Sequence, residues 1–266
     1  MGEIVLVGLG LNDDRGISLR GLDEAKRCDQ VFLEAYTSVM PDLSLDRLSA
    51  LCGKRVQVME RKDFEERSGR VLLDAAVRSK VVLLVPGDPL IATTHNVLRI
   101  EAAKRGIQCK IVHGASVFSS VIGLSGLHSY KFGKTVTVPF PSEVPADTPY
   151  RVIADNRRLG LHTLCLLDIK IAEGKFLGVA EALKTLLSVE ERMNEGVVTG
   201  NSLVVVVGRA GSDDVLVKAG FVKNLLSFDF GAPPFSVVFV GELHFTEAEA
   251  LVVLDGAPEK VRSLSK

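Results

Sequence analysis

Apolar runs alternate with amphipathic stretches through the first 113 residues, and this alternation limits the possible folds more than any other feature of the chain. The runs are Ile4–Val7, Gln30–Ala35, Arg55–Met59, Val81–Val85 and Lys110–His113. A run such as "VVLLV" at 81–85 has no polar alternation, so both faces of that strand must be covered. Strands buried on both faces and separated by helices give a parallel sheet between two helical layers. The first helix is expected after Ser18 as N-cap, with Leu19, Leu22, Ala25 and Lys26 at helical spacing, and the second over Leu43–Leu51. Val71–Val77 marks the third. Thr94 is read as the cap of the fourth, which carries Val97, Leu98, Ile100 and Ala103 and stops near Gly106.

The rhythm breaks at "GLHSYKFGK", residues 126–134. Beyond it Thr135–Val138, Thr163–Asp168, Leu203–Val207, Val215–Lys218 and Val237–Val240 read as strands, less regularly separated. A long helical pattern runs from Phe176 to Met193. Thr148-Pro149 reads as an N-cap followed by proline in the first turn, and Thr246 with Glu249 as a capping box. At 266 residues the chain has room for two domains. The expected division is an N-terminal α/β domain over 1–127 and a C-terminal α/β domain over 135–266, with a hinge at about 128–134. The first should hold a mostly parallel sheet and the second a mixed one.

In open parallel sheets, ligands sit beyond the carboxyl ends of the strands. Five strand ends are built from small or apolar residues here: "VGLGLNDD", "VPGDPLIATTH", "VHGASVFSS", "HTLCLLDIK" and "VVVVGRAGS". The first is not a dinucleotide loop. Its third glycine position is Asp13, and Asp13 with Asp14 would repel a pyrophosphate; a lone G-x-G is more often a tight turn. In the second, Pro86 and Pro89 fix φ and remove backbone donors, while Gly87 allows close approach of another molecule. Asp88 is then either an exposed residue of a plain turn or the head of a rigid ligand loop, and pattern alone leaves both open. Ser116 suits an N-cap, and Arg209 reads as a surface or interface charge. No loop carries a nucleophile elbow or a reactive cysteine, and no paired carboxylates stand out. Such loops hold a ligand by shape and backbone hydrogen bonds and suit transfer of a group from an already reactive cofactor.

Other classes are disfavoured. A net charge of −1 gives no basic footprint for nucleic acid. The five histidines lack metal-ligand spacing, so no metal is expected. Cys28, Cys52, Cys109 and Cys165 form no C-x-x-C pair and read as buried free thiols of a reducing compartment. "EIVLVGLGL" lacks the flanks of a signal peptide, and no apolar run reaches spanning length, so a soluble, cytoplasmic protein is expected with no membrane partner.

Taken in order, "VGLGL", "EAYTS" at 34–38, "PGDPLIATTH" at 86–95, "GLHSYKFGK", "GLHTLCLLDIK" at 160–170, "RAGS" at 209–212 and "GAPP" at 231–234 resemble the diphthine synthase family. That family belongs to the tetrapyrrole-methylase-like methyltransferases that use S-adenosyl-L-methionine and release S-adenosyl-L-homocysteine. The Gly-Asp-Pro turn marks the wider group; its combination with "ATTH" and "HSYKFGK" is specific to the diphthine synthases, and the resemblance spans essentially the whole chain. It implies two α/β domains with the cofactor in the interdomain cleft, and a homodimer. The implied activity is trimethylation of the amino group of a 3-amino-3-carboxypropyl chain on a histidine of translation elongation factor 2, giving diphthine.

Carried over residue by residue, the cofactor contacts fall on Leu11, Asp88, Ile91, Ser116, Val117, Leu167 and Ala210. The last falls on Phe235, where relatives carry His; a backbone contact survives that change and an imidazole contact does not. Asp88 is expected beside the cofactor's polar, partly cationic portion, and Thr93, Thr94 and His95 in hydrogen bonds at the helix start. No catalytic side chain is implied. Two rival readings share the pattern. One is a tetrapyrrole methyltransferase, although those enzymes continue their opening loop into Pro-Gly-Asp where this chain has "GLGLNDD"; the other is a non-catalytic S-adenosylmethionine-binding module.

Overall fold

Strict alternation inside the buried strands builds the first half of the protein. Val5, Val7, Val82 and Leu84 point to one core, with Ala25, Val31, Leu33 and Leu48. Ile4, Leu6, Val81, Leu83 and Val85 point to a second core, with Phe32, Leu72, Leu73, Leu98 and Ala102. One sheet therefore separates two apolar layers, as a period of two requires. The structure, a computed structural model, describes residues 2–65, 69–142 and 145–265. Its backbone contacts divide the chain into two compact units, Met1–Val117 and Phe118–Lys266.

The first unit runs β1 (Glu3–Gly8), α1 (Leu19–Arg27), β2 (Gln30–Glu34), α2 (Leu45–Cys52), β3 (Val56–Met59), α3 (Arg61–Glu65), α4 (Arg70–Ala76), β4 (Lys80–Val85), α5 (Asn96–Lys104) and β5 (Gln108–Val112). The sheet is wholly parallel in the order β3-β2-β4-β1-β5. From β1 to β2 and on to β3 the chain steps one way across the sheet. From β3 to β4 and on to β5 it steps back. With right-handed crossovers these steps place α1 and α2 on one face and α4 and α5 on the other, in agreement with the two cores. The chain leaving β1 and the chain leaving β4 thus diverge to opposite faces, and the gap between them is the switch point of the sheet.

The second unit begins within α6 (Val117–Leu124) and contains β6 (Val136–Val138), α7 (Asp147–Arg158), β7 (Thr163–Leu167), a small hairpin of β8 (Ile169–Lys170) and β9 (Lys175–Phe176), α8 (Val179–Met193), β10 (Leu203–Gly208), β11 (Leu216–Phe221), α9 (Val222–Leu225), β12 (Phe235–Phe239) and α10 (Phe245–Val253). Its five-stranded sheet, β11-β10-β12-β7-β6, is antiparallel except for the β6–β7 pair, the mixed sheet expected. Helices α7 and α8 cover its core through Tyr150, Ile153, Leu183 and Leu186.

Three expected caps move. α5 is preceded by His95, not Thr94, and His95 makes no side-chain cap bond. α7 begins at Asp147 with Ala146 before it, so Thr148 lies inside the helix. The box before α10 is His244 with Glu247, not Thr246 with Glu249: the Thr246 amide donates to His244 Nδ1 and the His244 amide to Glu247 Oε2. Among the described residues no helix is long and apolar enough to cross a membrane. The four cysteines are free thiols, all buried except the half-buried Cys109.

Candidate active site

Three glycines meet where β1, β4 and β5 end. A Cβ added at Gly8 would lie 2.5 Å from the Gly114 amide nitrogen and 2.6 Å from the Gly87 carbonyl oxygen; one added at Gly114 would lie 2.5 Å from the same carbonyl. Contact this close is open only to glycine. Gly10 and Gly87 also exchange two backbone hydrogen bonds, of 3.2 and 2.7 Å, which tie the β1 loop to the β4 loop across the switch point. The floor of the crevice is therefore bare backbone. Gly87 has φ +71°, and a Cβ there would find only the Ala115 carbonyl at 3.9 Å, so the space beside it is open.

Asp88 is not presented to solvent as the turn reading had it. It is 6% exposed, and its carboxylate accepts from the Leu90 amide at 2.9 Å, the Gly114 amide at 3.3 Å and His113 Nδ1 at 2.7 Å. The carboxylate thus joins the β4 loop to the β5 loop, and of its roughly four acceptor positions three are in use. His113 carries its ring 72% exposed; as a lone histidine at a strand end it gave no signal in the sequence. Asp13 and Asp14 are buried and serve the β1 loop: Asp13 accepts from the Arg15 amide and pairs with its Nε at 2.6 Å, and Asp14 pairs with Arg47 at 2.8 Å. Arg47 and the Ser44 amide hold the Asp14 carboxyl below its usual range against the opposing effect of burial.

Leu11 is half-buried in the same cluster of loops, Ile91 is exposed, Ser116 is buried and Val117 half-buried. Thr93 Oγ1 donates to the Pro89 carbonyl at 2.7 Å, and His95 Nδ1 lies 3.1 Å from the same oxygen. Thr93 and His95 thus shape the turn through Pro89 rather than capping the helix that follows.

In the second unit the candidate residues share one end of the sheet. β7 and β10 run in the same direction with β12 antiparallel between them, so the carboxyl ends of β7 and β10 lie beside the start of β12. Leu167 has its side chain in the core and pairs with Val138 in the sheet. Ala210 lies between Arg209, at φ +51°, and Gly211, at φ +92°. Arg209 is no surface charge. Its guanidinium binds Asp214 at 2.7 Å and the carbonyls of Phe230 at 3.0 Å and Ala232 at 2.6 Å, while its amide donates to Pro234. It holds in place the loop that leads to the cis Pro233-Pro234 bond and Phe235. The Phe235 ring packs over Gly208, where a Cβ would lie 3.1 Å from it, and stands edge-on to Phe230. The ring is committed to contacts within the chain. A separate concavity of about 420 Å³ opens at the other end of this sheet, lined by Arg157, Thr163, Leu203 and Phe239, and touches none of these loops.

The first unit's crevice suits S-adenosylmethionine in two respects. Its floor, bare of side chains at Gly8, Gly87 and Gly114, admits a flat group against backbone donors and acceptors. Arg15 and Arg47 are paired with Asp13 and Asp14, which leaves Asp88 as the acid at the β4 and β5 loops, a carboxylate that favours a cationic sulfonium over a pyrophosphate.

Residues 3–226 match the family of tetrapyrrole (corrin/porphyrin) methylases. The chain is 43% identical to a diphthine synthase of Methanosarcina mazei, over 97% of this chain and 98% of that one. It is 41% identical to a diphthine synthase of Methanocaldococcus jannaschii, over 94% and 98%. A crystal structure of diphthine synthase superposes with a TM-score of 0.89 at 38% identity, covering 98% of this chain and 99% of that one.

Proposed function

The chain belongs to the diphthine synthases within the tetrapyrrole methylases and is a methyltransferase of diphthamide biosynthesis; on that premise we propose that it trimethylates the amino group of the 3-amino-3-carboxypropyl chain carried by a histidine of translation elongation factor 2, using S-adenosylmethionine. The observation that carries this reading is the full-length match to diphthine synthases; the backbone floor formed by Gly8, Gly87 and Gly114 supports the place of the cofactor. In the first unit Leu11, Asp88, Ile91, Ser116 and Val117 hold the cofactor, and in the second Leu167, Ala210 and the backbone of Phe235. When bound, S-adenosylmethionine supplies an activated methyl group on a sulfonium.

The chain's own part is orientation. Asp88, fixed by His113 and two amides, presents its remaining lone pair and its negative charge at the crevice. Pro86 and Pro89 keep the turn from yielding as the ligand enters. An α-amino group has a pKa of about 8, so a usable neutral fraction exists near neutral pH without a dedicated side-chain base. Holding that amine about 3–3.5 Å from the methyl carbon, in line with the sulfur, supplies the rate. The full-length match to diphthine synthases supports this substrate over a tetrapyrrole, and it supports turnover over mere binding. We place the enzyme in the cytoplasm as a homodimer. Mass spectrometry of elongation factor 2 bearing the aminocarboxypropyl chain, after incubation with protein and cofactor, should show a gain of three methyl groups. Methylation of the unmodified factor, or equal turnover of a tetrapyrrole, refutes the substrate assignment.

A further inference from the structure

The cofactor turn is held from two sides, and the second side uses groups that the methyl transfer does not explain. On one side His113 and the Gly114 amide hold Asp88. On the other, His95 Nδ1 meets the Pro89 carbonyl at 3.1 Å. A carbonyl oxygen only accepts, so Nδ1 must carry a hydrogen. His95 is 1% exposed, and its Nε2 has no hydrogen-bond partner. Glu34 Oε2 lies 3.7 Å from it, on a carboxylate that is itself fully buried.

Glu34 ends β2, the strand next to β4. Its Oε1 accepts from the Tyr36 amide at 2.6 Å and the Thr37 amide at 2.7 Å, and its Oε2 from Thr37 Oγ1. These donors use the carboxylate to fold the β2 loop, the "EAYTS" segment. Phe64 closes the pocket, edge-on to His95 with ring centroids 5.7 Å apart and tilted against Tyr36 at 5.4 Å. Glu34 is the ionisable group that acts on His95; burial holds the imidazolium pKa below its usual value, and the pull of the carboxylate offsets this only in part. With Nδ1 protonated, a neutral imidazole turns its Nε2 toward the Glu34 carboxylate across 3.7 Å, a distance too long for a hydrogen bond. His162 provides the contrast: its Nδ1 accepts from the Gly241 amide at 2.9 Å and its Nε2 meets Glu247 at 3.1 Å, so a neutral ring satisfies both contacts.

We propose that His95 is a positioning residue for methyl transfer: as an Nδ1–H donor it fixes the Pro89 carbonyl, and its buried Nε2 faces the Glu34 carboxylate, which sets the β2 loop beside the cofactor turn. The inference rests on the reading of that turn as the cofactor site.

Nitrogen-15 NMR of the imidazole in the full chain at neutral pH tests the pairing without substitution. The expected result is a protonated Nδ1. A ring with Nε2–H and a bare Nδ1 overturns the proposal. Calorimetry with S-adenosylhomocysteine tests the positioning. Asparagine places its amide where Nδ1 stands and glutamine where Nε2 stands. His95→Asn should therefore bind within about 2-fold of the natural protein, while His95→Gln and His95→Ala should lose about 10-fold. Equal binding by the asparagine and glutamine variants, both folded by thermal melting, overturns it. Failure of the unsubstituted protein to bind S-adenosylhomocysteine would instead refute the cofactor site, and the NMR result would still decide the pairing.

Discussion

Glu247→Gln should destabilise the second unit more than any other isosteric change at a carboxylate in it. Glu247 is fully buried at the start of α10. Its carboxylate accepts from the His128 amide at 2.8 Å, the His244 amide at 2.8 Å, His162 Nε2 at 3.1 Å and Lys131 Nζ. Burial alone would raise its pKa, but the His244 amide, Lys131, the His128 amide and His162 together bring it from 4.5 to about 2. That shift makes the charged form worth about 3 kcal/mol to the fold. Because the folded value is depressed, the contribution is complete above the unfolded pKa near 4.5. It is lost as pH falls through the folded value near 2. Glutamine keeps the shape, loses the charge, and turns an amide toward groups that all donate. At pH 7 urea unfolding, followed by hydrogen exchange of α10 and of residues 126–134, should show a loss of about 3 kcal/mol. The difference between natural protein and variant should shrink as pH falls from about 4.5 to about 2. A loss below about 1 kcal/mol at pH 7, or a difference that does not change over that window, would refute the reasoning.

Asp88→Ala removes the acceptor shared by the β4 and β5 loops, and S-adenosylmethionine binding by calorimetry should weaken about 10-fold or more with the fold intact; unchanged affinity removes Asp88 from the site. Gly114→Ala places a methyl 2.5 Å from the Gly87 carbonyl, so thermal unfolding should report a loss of about 1–3 kcal/mol and calorimetry a loss of binding; a variant that melts and binds like the natural protein would show that the floor is not tight. Sedimentation at micromolar concentration should give the mass of a dimer, and a monomer mass would defeat the homodimer.

The strands were legible because burial on both faces leaves no ambiguity. "VVLLV" and "LVVVV" have no room for polar alternation, and each forms the strand read from it, extended by a residue. The pairing of β6 with β7 in parallel, in a sheet otherwise antiparallel, has no such signature. Helix starts fared worse, because several capping patterns overlap at one place. "ELHFTEAEA" offers Thr246 with Glu249 and His244 with Glu247 two residues apart. Local propensity favours threonine. Tertiary contact favours the other register, since only Glu247 reaches Lys131, His162 and the amide of His128, more than a hundred residues away in sequence for Lys131 and His128. The site shows the same division. Glycines and prolines at strand ends announce close backbone approach, and Gly8, Gly87 and Gly114 converge as that chemistry demands. The side chains that hold the loops still do not announce themselves. Arg209 reads as a surface charge because its partners are carbonyls of a loop some twenty residues on. His95 reads as one polar residue after two threonines because Glu34 lies on another strand.

That division has a physical origin. A ligand held by backbone atoms needs the absence of side chains, and absence is written locally as Gly, Ala or Pro. Keeping bare backbone in one geometry needs charged and polar groups that bind main-chain atoms from a distance. Asp88 on two amides, His95 on Pro89, Arg209 on two carbonyls and Glu247 on two amides are four cases in this chain. Each is mostly buried, each would leave an unpaired polar group if truncated, and each acts on a segment that carried family resemblance in the sequence. The ordered motifs of the chain are therefore of two kinds: loops proposed to meet the ligand, and residues that hold those loops and the segment at 126–134 in shape. Variants of the second kind should alter binding or stability with no contact to substrate.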